Sequence, residues 1–132
     1  MIRGMKESRD SIAQLRSIWP AAFPAKSDLV RPLALRLISV IAARMGWGHW
    51  YARGVLRGWK ARDAYCNAVL RHGQRFNLDG EPVDEVVDDE AKELARQQLA
   101  RNAKRRIKNG ERAAQLKASS EAASIEAAPA IS

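Results

Sequence analysis

Two groups of residues in this chain have types and spacing suited to holding a polyanion. His49, Arg53 and Arg57 recur at i, i+4 and i+8 in the stretch H-W-Y-A-R-G-V-L-R-G-W-K, and a helix would stack them in one strip. Such a strip climbs about 6 Å per four residues, a pitch that can follow successive phosphates of one strand. Lys60 and Arg62 follow directly. The second group is Tyr65 and Arg75. A phenol can lie against a base or donate its hydroxyl, and a guanidinium can fork onto a phosphate.

Each of these residues also has an ordinary reading. Tyr65 shares a helical stripe with Ala61, Ala68 and Val69, which suits a core residue as well as a site residue. Arg75 in a hairpin would otherwise be a solvated strand residue, and Arg62 and Arg71 could be plain surface charge; Arg62 is retained in the set and Arg71 is not. Trp47, Trp50 and Trp59 read more simply as core or core-edge residues than as base-stacking platforms.

Catalytic chemistry has little to work with. His49 and His72 are far from metal-ligand spacing, and Cys66 is the only cysteine. There is no glycine-rich phosphate loop, no nucleophile elbow and no HExxH. The acids Asp79, Asp84, Glu85, Asp88, Asp89 and Glu90 crowd together without the alternating order of a calcium loop. The expectation is a protein that is not an enzyme, with no catalytic residues, no cofactor and no metal.

Charge carries more information. The 132 residues hold a formal net charge of +8, with a pI near 10.3. Residues 31–75 contain nine basic side chains and one acid, Asp63, whereas residues 76–132 contain nine basic and eleven acidic ones. All of the excess is central, so the partner is a polyanion: nucleic acid or an anionic membrane surface. No segment approaches the roughly 18 apolar residues of a membrane span, and the N-terminus lacks the apolar run of a signal peptide. A lone cysteine gives no reason to expect an oxidising compartment. A cytoplasmic monomer is expected.

The elements that must position these residues follow from periodicity. Ser8 or Ser11 can cap a first helix through Ile12, Leu15, Ile18 and Trp19, ended by Pro20. Phe23, between two prolines, pins that helix to the core. Arg31 is held extended by Pro32. A helix from about Leu35 carries Leu37, Ile38, Ile41, Ala42 and Met45 and closes at Gly46, with Arg36 and Arg44 toward solvent. The basic helix comes next, followed by a short one ending at His72-Gly73. Asp79-Gly80 predicts a two-residue hairpin turn between Gln74–Leu78 and a returning strand to Val87, on which Pro82 is confined to an edge or the first position. Asp88-Asp89-Glu90 starts a long helix ending before Gly110. The fold class is α+β, mainly helical: an arm over 1–9, one domain over 10–109 with a small β-hairpin and a long C-terminal helix, and an Ala/Ser/Glu-rich flexible tail over 110–132.

In this order, L-R-S-I-W-P-A-A-F at 15–23, R-P-L at 31–33, the basic helix, and Tyr65 followed by Arg75 in R-F-N-L-D-G resemble the FinO/ProQ domain of bacterial RNA chaperones over roughly residues 10–108. The resemblance implies binding to small regulatory RNAs and messenger 3′ ends. It further implies recognition of the base of an intrinsic terminator hairpin with its single-stranded U-rich tail, in support of small-RNA-mediated post-transcriptional regulation. By position it implies RNA-binding roles for Arg31, Arg53, Arg57, Tyr65 and Arg75, with His49 at a place often held by lysine. This chain departs from the pattern at Ala34, where lysine is usual, and at Arg36, where glycine is usual. The interval between Arg31 and His49 is also a few residues short. From composition and pattern alone two rivals stand: a DNA-binding helix-turn-helix regulator jointed near Gly58, and a basic adaptor for acidic partners.

Overall fold

Helix α1 (Met5–Ile18) presses Ile12 and Leu15 into the interior, and its end is fixed by the turn that follows. Arg16 Nε donates to the Phe23 carbonyl at 2.7 Å, and Phe23, fully buried, meets the Trp59 ring edge-on at 5.4 Å. The proline-bracketed aromatic thus ties α1 to the centre of the core, as its setting in the sequence requires. The computed structural model describes the backbone of residues 5–127 and the side chains of residues 10–120. Residues 1–4 of the expected arm lie outside the described residues, and residues 5–9 are already helical. The expected serine cap is therefore displaced: the helix begins upstream of both serines. Ser11 is instead buried within it, its hydroxyl bonded to that of Tyr51.

Val30, Pro32 and Leu33 run extended along the floor of the core. Helix α2 (Ile38–Met45) buries Ile41 and Ala42 and ends on Gly46 in the left-handed region, whose N–H donates to the Ala42 carbonyl. Helix α3 (His49–Lys60) turns Ala52, Val55, Leu56 and Trp59 inward. Helix α4 (Asp63–Arg71) buries Tyr65, Cys66, Ala68 and Val69. No break occurs at Gly58; the joint between α3 and α4 falls at Ala61 and Arg62, and the second helix buries one side only. The joint expected near Gly58 is thus displaced by three to four residues.

The hairpin pairs β1 (Gln74–Phe76) with β2 (Pro82–Val86), antiparallel, and proline opens its strand. The connection is longer than the Asp-Gly signal predicts. Asn77 N–H bonds the Glu81 carbonyl and Gly80 N–H bonds the Asn77 carbonyl, so Leu78, Asp79 and Gly80 form a three-residue loop. The Asn77 side-chain oxygen accepts from both Asp79 and Glu81 N–H, and Gly80 takes φ +82°. This is the turn-plus-bulge connection, for which a residue tolerant of positive φ is needed. A Cβ at Gly80 would also lie 2.8 Å from Ala21 Cβ. On its other side β1 meets the Pro32–Ala34 segment: Phe76 N–H donates to the Pro32 carbonyl and Ala34 N–H to the Phe76 carbonyl, each at 2.8 Å.

Asp88 caps α5 (Asp89–Ala127), its carboxylate accepting the Ala91 N–H at 2.8 Å, and Ala95 closes the core beneath it. The expected stop before Gly110 is not observed. One glycine costs a helix about 1 kcal/mol, and the alanine, glutamate, glutamine, lysine and arginine on either side favour continuation. The chain divides into two compact units, Met1–Leu99 and Ala100–Ser132. Among the described residues no helix is long and apolar enough to cross a membrane.

Arg36 is the one described non-glycine residue with positive φ, at +64°. It occupies the place where the resemblance expects glycine. A left-handed conformation costs an L-residue roughly 1–2 kcal/mol, partly offset by the greater chain entropy that glycine loses on folding. Arg36→Gly should raise unfolding stability by about 0.5–1 kcal/mol, read as a higher denaturant midpoint at unchanged slope. An unchanged or lower midpoint contradicts this account.

Candidate nucleic-acid interface

With α3's apolar side turned inward, His49, Arg53 and Arg57 stand exposed on its outer side, with no acid anywhere on the helix. Lys60 belongs to the same strip: at 100° per residue, the four positions fall within an arc of about 80°. Lys60 is half-buried, and its ammonium pKa is lowered, first by burial and then by the positive charge of Arg75. The strip therefore ends within electrostatic reach of the second group. The structure joins the two sets of cations that the sequence separates.

Arg75 comes from β1, and its Nη1 donates to the Leu33 carbonyl at 3.1 Å. The Leu33 N–H donates to the Tyr65 hydroxyl at 3.0 Å. Both polar groups of one buried backbone unit are thus held by the two residues singled out for their side chains. Tyr65 is only 5% exposed, so of its two readings the core one describes the ring: it fills the core and cannot act as a stacking platform. Burial pushes the phenol pKa up, against the opposing pull of the Leu33 N–H and Arg75. In the bond from Leu33 the phenol oxygen is the acceptor, which leaves its own hydrogen available. Arg75 Nε, also buried, has no partner among the described residues.

Arg31 reaches the hairpin instead. Its Nη1 donates to the Gly80 carbonyl at 3.0 Å, and its guanidinium lies 5.2 Å from the centroid of Phe76. His72 meets the same ring edge-on at 5.4 Å. Partial burial, then the charges of Arg71 and Arg31, lower the His72 pKa. Arg62 is exposed, 4.9 Å above the Trp59 ring, and lines a pocket of about 210 Å³ with Val30, Trp59, Ala64 and Tyr65. Tyr65 thus borders an opening even though it is buried.

The sequence profile of the ProQ/FINO family matches residues 5–115. This chain belongs to the ProQ/FinO family. No curated protein sequence matches it significantly. Among solved structures it is similar to the NMR solution structure of a ProQ homologue from Legionella pneumophila, with TM-score 0.58, 23% identity and coverage of 74% of this chain and 84% of that one. It is also similar to the crystal structure of a FinO-like RNA chaperone from Neisseria meningitidis, with TM-score 0.52, 21% identity and coverage of 79% and 86%. At such identities the likeness establishes the ProQ/FinO fold.

Two departures of this ProQ/FinO chain from the pattern now have structural content. Ala34 is buried, with its N–H engaged by Phe76, so the lysine usual there has no counterpart at that point of the backbone. Arg36 is exposed, and its positive φ supplies the backbone conformation that glycine would otherwise provide. One aromatic expectation is overturned. Trp59 is core and Trp47 is half-buried against Tyr51 at 4.9 Å, but Trp50 is 78% exposed. Periodicity carries the reason: Trp50 lies roughly opposite the arc formed by Ala52, Val55, Leu56 and Trp59, so helical register outweighs its apolar bulk.

Proposed function

We propose that this protein is an RNA-binding chaperone that grips the base of a hairpin along α3 and receives the RNA's 3′ end at the corner beyond Lys60, as at an intrinsic terminator with its U-rich tail. It performs no catalysis in this reading. One observation carries the proposal: Lys60 and Arg75 are two half-buried cations, the charge of Arg75 reaches Lys60 and helps to lower its pKa after burial, and beside them a buried guanidinium N–H has no partner among the described residues. Like charges in a partly desolvated setting are costly without a counter-ion, and a phosphate supplies one. The available Tyr65 hydrogen would suit a terminal ribose hydroxyl or a phosphate oxygen.

Double-stranded RNA hides its base edges in a deep, narrow groove, so the stem is held through phosphates and 2′-hydroxyls. His49, Arg53 and Arg57 would meet those phosphates, Lys60 and Arg75 the last one, and Arg62 the nucleotide entering beside Trp59. Arg31 would act by fixing the hairpin turn and adding to the local field. Small regulatory RNAs and messenger 3′ ends are then the ligands, consistent with support of post-transcriptional regulation. The test compares a terminator hairpin bearing a free 3′-hydroxyl with the same RNA lacking its tail or carrying a 3′-phosphate. The intact end should bind tightest; equal affinity for all three overturns the 3′-end reading. Duplex DNA and anionic liposomes at the same ionic strength complete the comparison, and binding to either as tight as to RNA would favour the corresponding rival.

A further inference from the structure

Trp50 is the most exposed large apolar side chain in the described part of the molecule, and it stands beside the cationic strip. The guanidinium of Arg53, one turn on, lies 5.5 Å from its ring centroid. Exposure of an indole to water is unfavourable, and even with that guanidinium against it the side chain stands 78% exposed. The next position on the same side of α3, Gly54, is also exposed, and a Cβ built there would meet nothing within 4 Å. Packing inside the chain therefore does not explain the glycine, which weakens an exposed helix relative to alanine. Its effect is to leave the space beside the indole open.

We propose that Trp50 is a stacking platform for an unpaired nucleobase of the bound RNA, with Arg53 holding the adjoining phosphate and Gly54 leaving room for the base. The proposal rests on the reading that the chain binds RNA. The occupant follows from charge complementarity: the Arg53 guanidinium lies against the ring, and the helix that carries both also carries exposed His49 and Arg57 and no acid, so an apolar ligand that carries negative charge fits the site. A nucleotide has both properties, and stacking on an aromatic ring accepts any base. Ten residues of helix separate Trp50 from Lys60, about 15 Å along the axis. The stacked base is thus a different nucleotide from the one at the corner.

The experiment measures binding of the full chain to one hairpin in three forms: blunt, with an unpaired 5′ flank, and with an unpaired 3′ flank. Trp50→Ala should weaken a flanked form about ten- to a hundred-fold while leaving the blunt form and the melting temperature unchanged. The flank that responds identifies the side of the stem that supplies the base. Gly54→Gln, a better helix former that fills the space, should raise stability and reduce the same preference. Indole fluorescence should be quenched by that flank in the wild type and less so in Trp50→Ala. If wild type binds RNA and Trp50→Ala binds each of the three forms as tightly as wild type does, or is weakened by the same factor for all three, the platform is refuted while the RNA-binding reading survives. If Gly54→Gln keeps the full preference, the placement of the base beside Gly54 is refuted. Failure of the wild type to bind any form overturns the underlying reading.

Discussion

Reversing the charge at both Arg53 and Arg57 to glutamate should lower RNA affinity by on the order of thirty- to a hundred-fold at 0.15 M salt, for every structured RNA tested. The size follows from counter-ion release. Each phosphate contact contributes about 0.9 to the slope of log affinity against log salt, which at 0.15 M is worth roughly fivefold. Losing two contacts costs about twenty-five-fold, and the new carboxylates add repulsion. The Arg53→Gln, Arg57→Gln pair should show the twenty-five-fold loss without the repulsion, and a salt slope flatter by about two. Both side chains are exposed, so the fold should be unaffected within about 0.5 kcal/mol. An unchanged slope would mean that neither guanidinium meets a phosphate, and the strip would have to be reassigned as solvated surface.

That strip was legible because helical register is a short-range property. The spacing of His49, Arg53 and Arg57, the inward stripe of Val55, Leu56 and Trp59, and the closure at Gly46 each depend on residues a turn or two apart, and each is found as the pattern requires. The start of α5 at Asp88 belongs to the same class. What was hidden is what backbone atoms do at a distance. Nothing in the residue type of Leu33 announces that its carbonyl and N–H will bind Arg75 and Tyr65, 42 and 32 positions away. The hairpin was misread by one residue because the side chain of Asn77 captures two amide N–H groups, which turns Gly80 from a turn residue into a bulge. Gly110 does not stop α5 because the helix-forming residues on either side outweigh the cost of one glycine. Trp50 is a different case, since the register of α3 alone places it away from the core, and position outweighs apolar bulk there.

Burial of Tyr65 changes which substitution is informative. Removing a buried aromatic ring costs about 3–5 kcal/mol, against a typical domain stability of 5–15 kcal/mol. Tyr65→Ala should therefore show a sharp fall in denaturant midpoint together with loss of RNA binding, and the second effect would follow from the first. Tyr65→Phe separates them. It keeps the ring and deletes only the oxygen, which leaves the buried Leu33 N–H without its acceptor at a cost of about 1–3 kcal/mol. Arg75 would retain the Leu33 carbonyl, so the guanidinium stays near Lys60 and general RNA affinity should change little. The preference for a hairpin with an intact 3′ end should shrink, because the phenol hydrogen that would meet the terminal nucleotide is gone. Measured together, denaturant midpoint and the affinity ratio of tailed to truncated RNA give two independent readouts. A lower midpoint with an unchanged ratio would place the hydroxyl in the architecture of the corner alone, with Arg75 and Lys60 left as the groups that recognise the end.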